Sequence, residues 1–95
     1  MCETRIQAPV GFNVLLTILD FELEDSVSCR YDSLTLYDGT EADELRLLGE
    51  YCGVTIPTFV TSSGQDMLVV FKSDRSLTYR GFQAQYEFIQ GNELT

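Results

Sequence analysis

Three acidic residues lie where predicted strands begin or end. Glu24 follows a long alternating apolar stretch, Asp32 precedes the next one, and Asp74 comes shortly after a continuous apolar run. Calcium takes six to eight oxygen ligands in flexible geometry and accepts them from distant segments. Carboxylates that converge from separate strand ends could therefore form a calcium site. The spacing alone leaves the plainer alternative open, because acidic residues at strand ends are most often simply solvated.

The three cysteines, Cys2, Cys29 and Cys52, allow more than one arrangement. The chain has no histidine and no CxxC pair, so a zinc site is disfavoured. A bond between Cys29 and Cys52 would close one loop and contribute ~3 kcal/mol in the chain-entropy model. Cys2 would then have a missing partner or an intermolecular bond. The alternative, three buried free thiols in a cytosolic protein, stays open on the count alone.

The charge of the chain is strongly acidic, with fifteen Asp and Glu against six Lys and Arg and a net charge of −9. This balance disfavours nucleic acid and anionic lipid as partners. It suits cations, or proteins that present Lys and Arg, although it could serve only solubility. No apolar run approaches the ~20 residues of a membrane span. No signal sequence precedes Cys2, so the natural start is expected to have been lost or replaced.

Apolar alternation predicts β-strands along most of the chain. Every second residue is apolar from 14 to 18, and the alternation resumes one position out of phase at Phe21, which predicts a bulge near Leu19-Asp20. Residues 67–71 are apolar throughout, as in a central strand. Residues 81–89 alternate and place four side chains on one face, namely Phe82, Ala84, Tyr86 and Phe88.

These strands, separated by short turns, predict an all-β fold with an antiparallel two-sheet β-sandwich. Residues 41–48 have a helix-forming composition but are interpreted as a loop leading into a strand. The chain is expected to be one domain over residues 1–95. Catalysis is disfavoured, because a chain without histidine cannot supply a Ser-His-Asp or Cys-His arrangement, and no Gly-rich phosphate loop is present.

Six segments follow one another at fixed spacings along nearly the whole chain: Cys2-Glu3-Thr4-Arg5-Ile6; the apolar positions from Gly11 to Leu23 with Glu24; Cys29-Arg30-Tyr31-Asp32-Ser33-Leu34; Tyr37-Asp38-Gly39; Leu48-Gly49-Glu50-Tyr51-Cys52-Gly53 with Pro57; and Phe71-Lys72-Ser73-Asp74 with Gly81-Phe82, Ala84 and Tyr86. In this order they resemble a CUB domain. The resemblance implies a jelly-roll-like sandwich of two antiparallel sheets, an extracellular setting, and a disulfide between Cys29 and Cys52.

The resemblance also implies a calcium site of the kind that many CUB domains carry. The implied metal ligands are Glu24, Asp32, Asp74, and an oxygen of Ser76 or Leu77. Glu22 is the alternative to Glu24, because the apolar-x-apolar-Glu pattern occurs twice here. In calcium-binding members a partner often inserts Lys or Arg against these carboxylates, and Tyr31 would then be a contact residue. An alternative role for Tyr31 is a plain packing residue.

The expected function is therefore calcium-dependent binding of a protein that presents Lys or Arg. The alternative is a structural spacer, or a calcium-independent interaction module, in a multidomain secreted or cell-surface protein. Two departures from the family pattern stand out. The chain begins at the second family cysteine, so the strands around the first are expected to be missing and self-association through Cys2 or exposed strand edges is expected. Thr4 replaces the usual Trp, which removes a large core aromatic.

Overall fold

Seven β-strands make up most of residues 2–73 and 81–90, the part of the chain that the structure, a computed structural model, describes. Their bounds are β1 Cys2–Gln7, β2 Phe12–Glu22, β3 Ser33–Tyr37, β4 Leu47–Tyr51, β5 Phe59–Thr61, β6 Asp66–Lys72 and β7 Gly81–Gln90. All described pairings are antiparallel. They form a four-stranded sheet in the order β1-β6-β3-β4 and a three-stranded sheet in the order β5-β2-β7. The predicted all-β, two-sheet architecture is therefore confirmed.

Two short 3₁₀ turns, Val27–Cys29 and Glu44–Arg46, are the helical segments of the described ranges. Neither has the length and apolar character that crossing a membrane requires. The second turn belongs to the stretch interpreted above as a loop. The Asp43 carboxylate caps it by accepting a hydrogen bond from the Leu45 N–H. The chain then enters β4 at Leu47, as that interpretation predicts.

The long strand β2 contains the predicted bulge. Its pairing with β7 is regular up to Ile18 opposite Ala84, and it continues with Asp20 opposite Gln83. Leu19 is therefore the extra residue, and its side chain is exposed. The bulge returns Phe21 to the buried face. The phase slip in the sequence thus corresponds to a backbone irregularity at the expected place.

The core lies between the two sheets and centres on β2, β3 and β6. Four apolar side chains on the facing sheets are fully buried, namely Leu34, Leu36, Met67 and Val14. β6 lies between β1 and β3, which confirms the central position predicted from residues 67–71. Burial of apolar surface contributes roughly 25 cal/mol of stability per Å², and it is the main stabilising term of such a core.

A second, smaller apolar cluster lies on the outer face of the four-stranded sheet. It consists of Tyr37, Leu68 and Val70. Cross-strand pairing places Glu3 beside Val70 and Arg5 beside Leu68 on that same face. Burial raises the pKa of the Tyr37 hydroxyl above its ordinary value, and the carboxylates of Glu44, Glu50 and Glu3 raise it further.

The two long sides of the sandwich are built differently. On one side, residues 52–58 connect β4, an edge of the first sheet, to β5, an edge of the second. This segment runs along β2, because the Leu23 N–H donates to the Gly53 carbonyl at 2.9 Å and the Ile18 N–H to the Thr58 carbonyl at 2.8 Å. We call this the closed side.

The other two edges, β1 and β7, define what we call the open side. Thr4, on the core-facing side of β1, is exposed, whereas Ile6 on the same side is buried in the core. Tyr86 and Phe88 lie opposite Leu16 and Val14 on the core-facing side of β7, as the alternation predicts. They are nevertheless 56% and 39% exposed. Alternation identified their face correctly but did not indicate that this face is left partly uncovered.

Candidate metal centre

One pole of the sandwich gathers the ends of four strands. The register places Lys72, the last residue of β6, opposite Ser33, the first residue of β3. It also places Glu22, the last residue of β2, opposite Gly81, the first residue of β7. The connections that leave these strand ends carry the predicted metal ligands. The antiparallel topology thus brings together segments that are far apart in sequence.

Glu24 and Asp32 are neighbours at this pole. The backbone N–H of Glu24 donates a hydrogen bond to Oδ2 of Asp32 at 3.0 Å. The Asp32 side chain is only 2% exposed, and Oε1 of Glu24 is buried as well. A carboxylate is stable at such a depth only when its negative charge is compensated. Glu22, the alternative to Glu24, remains within β2.

The other three predicted ligands, Asp74, Ser76 and Leu77, lie outside the described residues. These three residues belong to the segment between Ser73 and Gly81. Ser73 follows Lys72, which pairs with Ser33 next to Asp32, and Gly81 pairs with Glu22. Within residues 2–73 and 81–90, no three Asp, Glu, His or Cys side chains are close enough together to hold a metal ion. The structure therefore places two of the predicted carboxylates and leaves the full ligand set as a prediction.

A disulfide anchors the loop between Glu24 and Asp32. Cys29 within this loop is bonded to Cys52 at the end of β4, with a Cα–Cα distance of 5.5 Å, so the implied pairing is observed. Cys2 is a free, exposed cysteine. Closing a loop of this size restricts the unfolded chain and contributes ~3 kcal/mol. The bond therefore limits the movement of the segment that carries both carboxylates.

The same loop contains a backbone feature that the sequence did not signal. Ser28 and Cys29 have φ values of 56° and 49°, in the left-handed region that Gly and Asn adopt more readily. Each such residue costs on the order of 1–3 kcal/mol. Neither residue type hints at this conformation. Both residues lie in the Val27–Cys29 turn, and Cys29 is held by the disulfide to Cys52.

An exposed surface borders the buried carboxylates. Tyr31, next to Asp32 in sequence, is 45% exposed, and its backbone N–H donates to the Ser26 hydroxyl at 3.3 Å. A shallow pocket is lined by Ser26, Val27, Arg30 and Tyr31. Val27 and Arg30 were not singled out by the sequence. Their relevance follows only from the folding of the 24–32 loop around Tyr31.

The donors placed at this pole suit a hard cation. They are carboxylate oxygens, which calcium accepts readily, and histidine is absent from the chain. Cys29 and Cys52 are consumed by the disulfide, and Cys2, opposite Phe71 near the end of β6, is a single exposed thiol. Glu24 and Asp32 therefore fit part of a calcium site, and they do not fit a zinc site of nitrogen and sulfur ligands.

The comparisons with known proteins agree with this architecture. The CUB domain family model matches residues 1–86, and the chain belongs to that family. Human procollagen C-endopeptidase enhancer 1 is 41% identical over 86 residues, which is 90% of this chain and 19% of that protein. The chain thus spans a fifth or less of the length of the curated relatives it matches.

Two solved structures extend the likeness to three dimensions. The full extracellular region of zebrafish Gpr126/Adgrg6 matches with a TM-score of 0.80 and 38% identity, over 94% of this chain and 11% of that one. The MASP-1 CUB2 domain bound to Ca²⁺ matches with a TM-score of 0.74 and 29% identity, over 90% of this chain and 75% of that one.

These findings define the setting of the chain. CUB domains are typically protein-interaction modules of extracellular multidomain proteins. The Cys29–Cys52 disulfide fits the same oxidising environment. The extracellular localisation expected from the sequence is therefore confirmed.

Proposed function

We propose that this CUB domain binds a protein partner in a calcium-dependent way. Glu24, Asp32 and Asp74 would supply carboxylate oxygens, and Ser76 or Leu77 would complete the ligand set. The observation that carries the proposal is the nearly complete burial of Asp32 directly against the Glu24 backbone. The likeness to a CUB domain solved with Ca²⁺ supports it.

The chain's own residues would work by orienting one another. The Glu24 N–H donates to one oxygen of Asp32 and so helps to hold that carboxylate in place at the pole. Without a compensating cation, the carboxylates of Glu24, Asp32 and Asp74 would repel one another and favour opening of the 24–32 loop. A bound calcium supplies the neutralising charge. The disulfide then retains the loop in the conformation that presents Tyr31.

The partner proposed here presents Lys or Arg. The chain carries a net charge of −9, so it attracts basic surfaces at long range. A cation inserted beside the site would pair with carboxylate oxygens left accessible at its rim, and Tyr31 would pack against the stem of that side chain. Binding of this type needs no catalytic group, and we propose a non-catalytic role. If the domain binds no calcium, the spacer role replaces this proposal.

The first test is thermal unfolding in EDTA and in millimolar calcium. A ligand present at ~100 times its dissociation constant adds ~2.7 kcal/mol of stability, and each kcal/mol raises the midpoint of a domain this size by roughly 4–8 °C. We expect this increase for the wild type and not for Asp74→Ala or Glu24→Gln. Glu87→Gln, which removes the same charge from an exposed site on β7, is the matched control and should retain the increase. An unchanged midpoint for the folded wild type would refute the calcium site.

The second test concerns the basic partner. A lysine-rich peptide and its acetylated form would be titrated against the domain in calcium and in EDTA. Calcium reduces the negative charge of the domain, so purely nonspecific attraction should weaken in calcium. A specific site should instead bind the unmodified peptide more tightly in calcium. Tighter binding in EDTA would contradict the proposed partner class.

A further inference from the structure

A basic side chain borders the acidic pole. Arg30 lies two residues before Asp32, and its side chain is exposed. The Arg30 guanidinium forms no ion pair with a carboxylate of residues 2–73 and 81–90. The whole chain has only six Lys and Arg against fifteen Asp and Glu. A cation that has no ion-pair partner in so acidic a domain is available to another molecule.

The Arg30 side chain belongs to the shallow pocket beside the buried carboxylates. This pocket has a volume of about 300 Å³, and its other lining residues are Ser26, Val27 and Tyr31. The Ser26 hydroxyl accepts a hydrogen bond from the Tyr31 N–H, which leaves its own proton available for donation. None of the four lining residues is acidic. The pocket therefore offers two hydrogen-bond donors, a guanidinium and a hydroxyl, beside the exposed apolar side chain of Val27.

The backbone of the loop holds this pocket in a defined shape. The Cys29 N–H donates to the Ser26 carbonyl at 3.1 Å, and the disulfide ties Cys29 to the end of β4. Ser28 and Cys29 are the two residues with left-handed backbone conformations described above. Strained backbone of this kind is concentrated at functional sites such as ligand clamps. Because both residues lie between Val27 and Arg30, their conformation sets the relative position of the two side chains that line the pocket.

The donors of the pocket fit a carboxylate. A guanidinium binds a carboxylate through two parallel N–H···O hydrogen bonds, and a serine hydroxyl can add a third. A Lys or Arg side chain entering the same pocket would be repelled by Arg30. The pole therefore selects opposite charges at two adjacent positions, since the Asp32 carboxylate attracts a cation and Arg30 attracts an anion.

We propose that Arg30 binds an Asp or Glu side chain of the protein partner, next to the basic residue that pairs with the metal-site carboxylates. This inference rests on the proposed function and adds a second position to it, because the contact segment of the partner then carries a basic and an acidic residue side by side. Val27 and Tyr31 pack against the apolar part of that segment. Arg30 thereby determines specificity, since a partner with basic residues alone leaves it unpaired.

The test is a panel of immobilised peptides, with binding of the domain measured by surface plasmon resonance in millimolar calcium. Each peptide has one central lysine and one glutamate at a varied spacing before or after it, and a matched peptide has glutamine in place of the glutamate. The domain has a net charge of −9, so nonspecific attraction favours the glutamine peptides. Binding through Arg30 should reverse this order for at least one spacing, with the glutamate peptide bound roughly two- to fivefold more tightly.

Two charge-neutralising variants locate the effect. Arg30→Gln should remove the preference and make the glutamine peptide the better ligand. Lys72→Gln removes the same charge from an exposed residue at the end of β6, at the same pole, and it is the matched control that should keep the preference. Circular dichroism melting checks that both variants are folded.

Equal binding of the matched peptides at every spacing, absence of binding included, would overturn this inference, as would a glutamate preference that survives Arg30→Gln. Failure of the proposed function has a different signature. In that case the thermal midpoint of the wild type would not rise in calcium, or acetylation of the peptide lysine would leave binding unchanged.

Discussion

The closed and open sides of this sandwich cover the same core to different extents. On the closed side, residues 52–58 pass from one sheet to the other and bring Ile56 against the core. On the open side, β1 and β7 end the two sheets with no described segment between them. The aromatic pair of Tyr86 and Phe88, with ring centroids 5.7 Å apart, is consequently left partly in solvent.

The difference shows that strand alternation and burial are separate properties. Leu16 and Tyr86 are cross-strand neighbours on one face of the three-stranded sheet, yet Leu16 is 4% exposed and Tyr86 is 56% exposed. What lies opposite each residue in the other sheet decides its burial. Substitutions on the closed side should therefore cost far more stability than comparable substitutions on the open side.

The largest contrast is expected among the cysteines. Replacing both Cys29 and Cys52 with serine removes the restriction on the unfolded chain and should cost about 2–5 kcal/mol of the free energy of unfolding. Cys2→Ser on β1 changes an exposed thiol and should stay within about 0.5 kcal/mol. Urea unfolding followed by circular dichroism measures both. Equal losses for the two variants would mean that Cys2 contributes to a contact on the open side.

The next contrast compares the two neighbours on one face. Leu16→Ala removes a buried side chain and should cost about 2–5 kcal/mol. Tyr86→Thr keeps a residue suited to a strand and should cost less than about 1 kcal/mol, since most of the ring is already in solvent. The same denaturation experiment measures both values. A cost for Tyr86→Thr as large as that for Leu16→Ala would show that the open side is covered in solution.

The smallest contrast concerns glycines. A Cβ added at Gly49 in β4 would overlap the Tyr51 ring, which packs against the core on the closed side, whereas a Cβ at Gly64 would meet no atom within 4 Å. Gly49→Ala should therefore cost about 1–3 kcal/mol through displacement of the ring. Gly64→Ala is the control and should be nearly neutral. Similar thermal midpoints for the two variants would indicate that Tyr51 moves aside freely.

Much of the fold could be predicted from local sequence patterns. The bulge in β2 could be predicted because the alternation slips by one residue between Ile18 and Phe21. The central position of β6 could be predicted because five consecutive residues, 67–71, are apolar. Such patterns act within a single strand. The exposure of Tyr86 could not be predicted in this way, because it depends on what lies opposite β7 across the sandwich, which no pattern within β7 indicates.

Long-range polar contacts could not be predicted from the sequence either. The buried Asn13 side chain donates to the Ser62 carbonyl at 2.9 Å, and the Ser62 hydroxyl accepts from the Val14 N–H at 2.8 Å. These residues are almost fifty positions apart, and no local pattern around Ser62 indicates the contact. At the candidate site, the resemblance to CUB domains pointed to Glu24 and Asp32, but the hydrogen bond between them required the folded loop.

The bulge at Leu19 also bears on how chain length can vary. Leu19 has no partner in β7 and its side chain points into solvent, while the pairs on either side of it are in regular register. Deleting this residue would join two stretches that already alternate in step, and would remove only the local bend. Phe21 would still face the core, and Glu24 would still reach Asp32. Position 19 is therefore the place in β2 where loss of one residue should least disturb the core and the pole.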